Sequence, residues 1–147
     1  MRIRVMWRSR ALCFIAALMF WSHGDAAVRG SAAAAGGDAE RGAGLFARLP
    51  CASCHDITRP SPGGEICPNL GSIGVEAGRR VASAAYRGKA KDAAGYIRES
   101  IVDPNAFIVP GPNYRTADGQ SVMPKTFAAL LSASDLDDLV AYLLTRR

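Results

Sequence analysis

Apolar residues recur at helical spacing in three parts of the chain, and two of these parts have clear boundaries. Asp38 can cap a helix in which positions 42, 45, 46 and 49 share one face, and Pro50 ends it. Asp92 can cap another, with positions 96, 97, 100 and 101 on one face. The Asp103-Pro104 pair ends this second helix, because the residue before a proline disfavours the helical conformation.

The third helical pattern lies at the end of the chain. It opens at Ser132 or Ser134 and places apolar residues at positions 136, 139, 140, 143 and 144. Acidic residues at 135, 137 and 138 fall in the predicted first turn, and Arg146 and Arg147 fall at the end. This order of charges complements a helix dipole, so we predict a helix at the end of the sequence.

Two long stretches, 60–78 and 104–124, are rich in proline and glycine and carry little periodicity. We predict loops there, with at most a short helix in the first. No strand pattern of useful length and no internal repeat is present, so the predicted fold class is all-α with three or more helices. Loops this long are uncommon in a small domain unless something organises them, and a large buried cofactor would do so.

The N-terminal residues have the charge order of a secretory signal peptide. Four arginines and no acid occur in the first ten residues, and residues 11–21 form an unbroken apolar run. That run is about half of the ~20 residues that span a bilayer, which makes an uncleaved anchor the weaker alternative. We predict cleavage after Ala26, a flexible arm over 27–37 and one domain over 38–147.

Export would change the charge of the molecule. Removing residues 1–26 takes away four of the 18 basic and one of the 13 acidic residues, leaving 14 against 12. The near-neutral balance gives no reason to expect nucleic acid as a partner, and membrane association is expected only through a partner or an uncleaved leader. The predicted mature chain retains one histidine, one methionine and three cysteines: His55, Met123, Cys51, Cys54 and Cys67.

The sequence Cys51-Ala52-Ser53-Cys54-His55 has the spacing that attaches c-type haem. Two thiols three positions apart can reach two vinyl groups on one porphyrin edge, and the next residue can place its imidazole on the iron. Export supports this interpretation, since covalent haem attachment in bacteria follows export. The motif therefore predicts one haem c, bound through Cys51 and Cys54 and ligated by His55.

The same residues allow three other interpretations. A disulfide between Cys51 and Cys54 suits an exported protein but leaves His55 unexplained. A zinc site could use Cys51, Cys54, Cys67 and His55, although adjacent Cys54 and His55 are awkward ligands for one tetrahedral ion. A thioredoxin-like redox pair would need a βαβ pattern, which the sequence lacks.

The second axial ligand follows by elimination. A low-spin electron carrier needs another strong ligand, and His55 is the only histidine of the predicted mature chain. Met123 is its only thioether, and it lies in a loop beside Pro124. We therefore predict Met123 as the second iron ligand. The alternative is a methionine that only fills space in the core.

The chain resembles a class I bacterial cytochrome c over residues 37–145. Gly42, Phe46 and Tyr142 are similar to residues that pack the N- and C-terminal helices of this family together. The resemblance implies long loops and helices wrapped around one haem ligated by histidine and methionine. It also implies that the carbonyl of Pro68 accepts a hydrogen bond from the ring of His55, which fixes the tautomer and tunes the iron.

Two features depart from the family pattern. Cys67 stands where the family usually has glycine, and we interpret it as a small buried side chain rather than a reactive or partner-linking thiol. The predicted mature chain has no tryptophan, so other donors must hold the haem propionates. The candidates are Arg79, Arg80, Tyr86, Tyr114 and Arg115.

The sequence thus predicts a periplasmic one-electron carrier of a respiratory or dehydrogenase-linked chain, not an enzyme, with other redox proteins as donor and acceptor. The rival is a haem catalyst or gas sensor with an open sixth position, for which no distal histidine or catalytic carboxylate is apparent. Six basic residues within positions 79–98 form either a solvated face or a docking surface for an acidic partner. They are Arg79, Arg80, Arg87, Lys89, Lys91 and Arg98.

Overall fold

The computed structural model describes residues 36–60 and 63–147. Within these residues the chain forms six helices and no strand: α1 (Ala39–Arg48), α2 (Cys51–Cys54), α3 (Ile73–Ala82), α4 (Ala93–Val102), α5 (Phe127–Leu130) and α6 (Ala133–Leu144). The predicted all-α class is confirmed. The predicted signal peptide lies outside the described residues, as does the predicted arm up to residue 35. Among the described helices, none has the length and apolarity needed to span a bilayer.

The first predicted helix forms where the pattern placed it. The carboxylate of Asp38 accepts hydrogen bonds from the backbone N–H groups of Glu40 and Arg41, at 2.9 and 3.1 Å, and so caps α1. Helix α1 packs against α6. At this contact the rings of Phe46 and Tyr142 lie 5.8 Å apart, in the tilted arrangement that aromatic pairs favour.

The other two predicted helices also form and are capped by their own side chains. Asp92 accepts from the N–H of Gly95 at 2.7 Å at the start of α4. Ser132 and Asp135 form a reciprocal capping box at the start of α6. Both helices bury apolar faces in a common core with α1 and α3, which includes Phe46, Ile73, Ile97, Ile101, Leu139, Val140 and Leu143.

Helix α3 corrects the prediction of a loop with at most a short helix over 60–78. Its ten residues include Gly74 and Gly78, which lower helix propensity and hid the element in the sequence. Tertiary packing outweighs that weakness because Ile73 and Ala77, four residues apart, are buried on one face. The N–H of Gly74 also donates to the carbonyl of Arg146 at 2.9 Å, which ties the start of α3 to the end of the chain.

Asp138 corrects the interpretation of the acidic cluster in α6. The sequence suggested that Asp138 complements the helix dipole. Its side chain is instead buried and bonds to residues at the start of α1. Its carboxylate accepts from Arg41 through Nε and Nη2, at 2.9 and 3.0 Å, and from the N–H of Asp38 at 2.6 Å. Asp138 therefore links α6 to the start of α1.

Candidate haem site

Helix α2 is a single turn that presents the two motif cysteines. Because residues three apart share a face of a helix, Cys51 and Cys54 project to the same side. The hydroxyl of Ser53 donates to the carbonyl of Pro50 at 2.6 Å, and the N–H of His55 donates to the carbonyl of Cys51 at 2.9 Å. These bonds stabilise the turn and fix the direction of the backbone at His55.

The imidazole of His55 lies 2.7 Å from the carbonyl oxygen of Pro68, measured from Nδ1. A carbonyl can only accept, so Nδ1 must carry the proton and Nε2 is left with a free lone pair. Burial lowers the pKa of His55 below its ordinary value, and the bond to Pro68 offsets part of that shift. The ring is therefore neutral at neutral pH, which is the state that can bind a metal through Nε2.

The segment that supplies this carbonyl is itself fixed. The N–H of Leu70 donates to the carbonyl of Asp56 at 2.8 Å, which brings the loop back beside the residue that follows His55. The side chain of Asn69 accepts from the N–H of Gly71 at 2.8 Å and closes a local turn. Pro68 is thus held at the start of a braced segment, so its carbonyl can set the orientation of the imidazole.

Two cavities meet at His55 and Met123. The larger encloses about 720 Å³, counting its open mouth, and the smaller about 380 Å³. Five residues line both: His55, Leu70, Ile101, Met123 and Leu143. Cys51 lines the smaller cavity, whereas Cys54 is exposed and lines neither of the two. One continuous apolar space therefore runs past Cys51, with the predicted iron ligands His55 and Met123 in its wall.

Polar side chains in the wall of the larger cavity are few. Arg80 contributes its guanidinium and donates from Nη1 to the hydroxyl of Tyr96 at 3.3 Å. Tyr114 is buried there, and its hydroxyl donates to the carbonyl of Gly64 and accepts from its N–H, at 2.9 and 3.1 Å. Of the five candidates for holding propionates, the structure brings these two to the cavity.

The other three candidates do not line it. Arg79 pairs with Glu76 at 2.7 Å on an exposed face. Tyr86 donates to the carboxylate of Glu99, and Arg115 donates to the carbonyl of Gly119 within the loop. Sequence alone could not separate the two sets, because in α3 Arg79 and Arg80 are neighbours that point in different directions from the helix axis.

The basic residues of positions 79–98 are likewise divided by the fold. Arg98 pairs with Asp137 on α6, and Arg87 donates to the carbonyls of Ala84 and Tyr86. With Arg79 held by Glu76 and Arg80 in the cavity wall, the four arginines all have internal contacts. Arg79, Arg87, Lys89 and Lys91 nevertheless keep their side chains exposed, and a docking surface formed by them stays a prediction.

Cys67 is buried and lies in the wall of the larger cavity. Burial, followed by the neighbouring Cys54 thiol, raises the pKa of Cys67 to about 11. A buried thiol with so high a pKa has little thiolate at neutral pH, in keeping with the inert side chain expected from the sequence.

The rival arrangements find no support in the described residues. Cys51, Cys54 and Cys67 are all free of disulfides. In the part of the chain that the structure describes, no group of three or more His, Cys, Asp or Glu side chains is arranged to hold a bare metal ion.

Residues 39–147 match the family model described as cytochrome c. The match covers most of the chain, so this protein belongs to the cytochrome c family. A search of the curated proteins gives no match. Members of the family bind covalently attached haem c, and this single domain binds one. The protein is therefore a haem-c electron carrier that exchanges electrons with redox partners.

The residues present fit such a group. Two thiols on one helical turn, a neutral imidazole with Nε2 free, a thioether in the same cavity wall and a single guanidinium are the donors that the space offers. Sequence reasoning missed Asn105 and Ser121, whose side chains accept hydrogen bonds from the backbone of the loop that carries Met123. The only sequence signal for Asn105 is its place directly after the Asp103-Pro104 helix stop.

Proposed function

We propose that this protein is exported to the periplasm and carries single electrons between other redox proteins of a respiratory or dehydrogenase-linked chain. Export is supported by the arginine-rich start of the sequence and the apolar run at 11–21. The carrier role is supported above all by one observation: His55 and Met123 lie in the walls of the same two adjoining cavities.

In this proposal each site residue has a distinct task. Cys51 and Cys54 form the two thioether bonds, so that the cofactor cannot be lost outside the cytoplasm. His55 binds the iron through Nε2 while its Nδ1–H donates to Pro68, which fixes the ring plane and makes Nε2 a stronger donor. Met123 would supply the second protein ligand to the iron, and a thioether ligand would favour its reduced state.

The bound haem supplies one-electron oxidation and reduction, and the chain supplies the setting for it. The apolar walls exclude water, which lowers the local dielectric and limits solvent rearrangement when the charge changes. Arg80 is the cationic side chain of the larger cavity and is placed to offset carboxylate charge there. If His55 and Met123 both hold the iron, it would have no open site for a substrate, which favours a carrier over a catalyst.

Mass spectrometry of the denatured protein tests the cofactor attachment. Protein made in a host that attaches c-type haem should have the mass of the polypeptide plus one haem, and Cys51→Ala with Cys54→Ala should have the apo mass. An apo mass for the wild type would contradict the proposed attachment. Carbon monoxide added to the reduced protein then tests the sixth position, and rapid complete binding would favour the catalyst or sensor instead.

Export is tested separately by fractionation and N-terminal sequencing. We expect haem-bearing protein in the periplasm with its first residue at position 27. A form lacking residues 1–26 should stay in the cytoplasm without haem. Membrane-bound protein that begins at residue 1 would instead indicate an uncleaved anchor.

A further inference from the structure

The loop that carries Met123 is tied to the end of α4 by two successive hydrogen bonds. The N–H of Met123 donates to the hydroxyl oxygen of Ser121 at 3.2 Å. The N–H of Ser121 in turn donates to the side-chain oxygen of Asn105 at 2.8 Å. Asn105 follows the helix stop directly, so the relay starts from a fixed point of the fold.

That starting point is rigid for local reasons. The N–H of Asp103 donates to the carbonyl of Glu99 at 2.7 Å as α4 ends, and the N–H of Ala106 donates to the carbonyl of Asp103 at 2.9 Å. Pro104, between them, is buried and lines the larger cavity. Asn105 therefore sits in a closed turn beside the haem space rather than in a free loop.

The side chain of Asn105 is oriented by the hydrogen bond that its Oδ1 accepts, and not by one from its Nδ2. A backbone N–H can bond only to an acceptor, so the atom that faces Ser121 must be Oδ1. The opposite atom, Nδ2, is buried and has no hydrogen-bond partner in the described residues. A buried donor without a partner is unfavourable, and Asn105 bears this cost at the position where its oxygen fixes the loop.

The same stretch of backbone is held from a second side. The N–H of Val122 donates to the carbonyl of Tyr114 at 3.2 Å, and the hydroxyl of Tyr114 is bonded to Gly64. Three consecutive N–H groups up to and including that of Met123 are thus engaged, two of them through the relay. The approach of the thioether to the cavity is consequently set by the backbone, not by the side chain alone.

We propose that Asn105 is a positioning residue for Met123, acting through Ser121 to hold the methionine loop closed over the haem. The inference rests on the proposed ligation of iron by Met123. Asn105 does not touch the sulfur. It determines how often the loop opens, and so how readily another ligand replaces the thioether.

The test uses the haem-bearing protein and five variants. Asn105→Ala and Ser121→Ala each break the relay. The double variant removes both side chains of the same relay. Asn105→Asp keeps an acceptor oxygen in either protonation state. Thr116→Ala is the control, since Thr116 closes the exposed turn of the same loop through its bonds to Gln120 and has no part in the relay.

The measurements are the affinity of the ferric protein for imidazole and the pH at which the sulfur-to-iron charge-transfer band disappears. We expect Asn105→Ala to bind imidazole roughly two- to tenfold more tightly and to lose the band at lower pH. Ser121→Ala should do the same, and the double variant should match the single ones because both act in one relay. Asn105→Asp should return imidazole affinity toward that of the wild type.

Wild-type imidazole affinity and band pH in both Asn105→Ala and Ser121→Ala would overturn the inference. So would an equal change in Thr116→Ala, which would indicate general loosening of the loop. A wild-type protein without the charge-transfer band would instead overturn the ligation by Met123. If Asn105→Ala fails to fold, as judged by circular dichroism, Ser121→Ala and Asn105→Asp carry the same comparison.

Discussion

Gly42 of α1 lies directly against the backbone of α6 at Asp138. A Cβ built at Gly42 would stand 2.0 Å from the carbonyl oxygen of Asp138 and 2.8 Å from the Cβ of Tyr142. Backbone cannot yield as a side chain can, so we expect Gly42→Ala to lower the free energy of unfolding by about 3 kcal/mol or more. Guanidinium unfolding of the haem-bearing protein, followed by circular dichroism, measures this.

Gly78 is the matched control for Gly42. It also lies within a ten-residue helix, yet a Cβ there would meet nothing within 4 Å. Gly78→Ala should therefore stabilise the protein by about 0.5–1 kcal/mol through helix propensity alone. If the two variants changed stability alike, close packing of α1 against α6 would not be what Gly42 provides.

Local capping residues and apolar faces decide which helices the sequence could predict. Helices α1, α4 and α6 have capping side chains and apolar faces, so local pattern is enough to locate them. Helix α3 has two glycines and no capping bond from Ser72, and it owes its stability to contacts with distant residues. These contacts form only in the folded protein, so they leave no clear periodic pattern of apolar residues in the sequence.

The residues of the candidate site differ in the same way, because some could be predicted from local sequence and others only from the fold. The motif from Cys51 to His55 is local, because five consecutive residues contain the whole arrangement. Met123 could be inferred only by elimination, and the choice of Arg80 and Tyr114 over the other cavity candidates needed the fold. The relay through Asn105 joins positions 16 apart with ordinary residue types, so no motif marks it.

The ion pair between Arg41 and Asp138 predicts acid sensitivity. The bond from Arg41, followed by that from the N–H of Asp38, lowers the pKa of Asp138 below its ordinary value of 3.8. A carboxyl with a lowered folded-state pKa contributes stability that is present above its unfolded pKa and is lost as the pH falls through the folded one. We expect the thermal midpoint to fall in that acid range in the wild type and to fall less in Asp138→Asn.

Asp138→Asn should also have a lower thermal midpoint at pH 7, because the buried side chain then offers one acceptor oxygen, in place of two, to Arg41 and the N–H of Asp38. Glu76→Gln is the control, since the Glu76 side chain is partly exposed whereas that of Asp138 is buried, and surface pairs contribute little. We expect a shift of several degrees for the first variant and almost none for the second. Equal shifts at pH 7 would contradict a special role for the buried carboxylate.

The thiol of Cys67 should be protected in the folded protein. Burial raises the pKa of Cys67 well above its ordinary value, so little of the thiol is thiolate at pH 8. Iodoacetamide at that pH should leave the native haem protein unlabelled over a time in which the guanidinium-unfolded protein gains one label. Mass spectrometry reports both, and rapid labelling of the native form would show that Cys67 is reactive after all.

Met123→Ala tests the second axial ligand. The haem should stay attached, because Cys51 and Cys54 are untouched and His55 still occupies one face. Loss of the thioether removes the ligand that favours reduced iron, so the midpoint potential should fall substantially and the charge-transfer band from sulfur should vanish. Carbon monoxide should then bind the reduced variant readily, and thermal stability should fall because the loop has lost its anchor.

Met123→Leu separates ligation from packing in the same position. Leucine has nearly the volume of methionine and keeps the cavity wall filled, yet it offers the iron no donor. If Met123 is a ligand, the leucine variant should lose the charge-transfer band and the high potential as completely as the alanine variant, while recovering part of its stability. If Met123 only fills space, leucine should restore the wild-type spectrum and potential, and the assignment of the sixth position would be wrong.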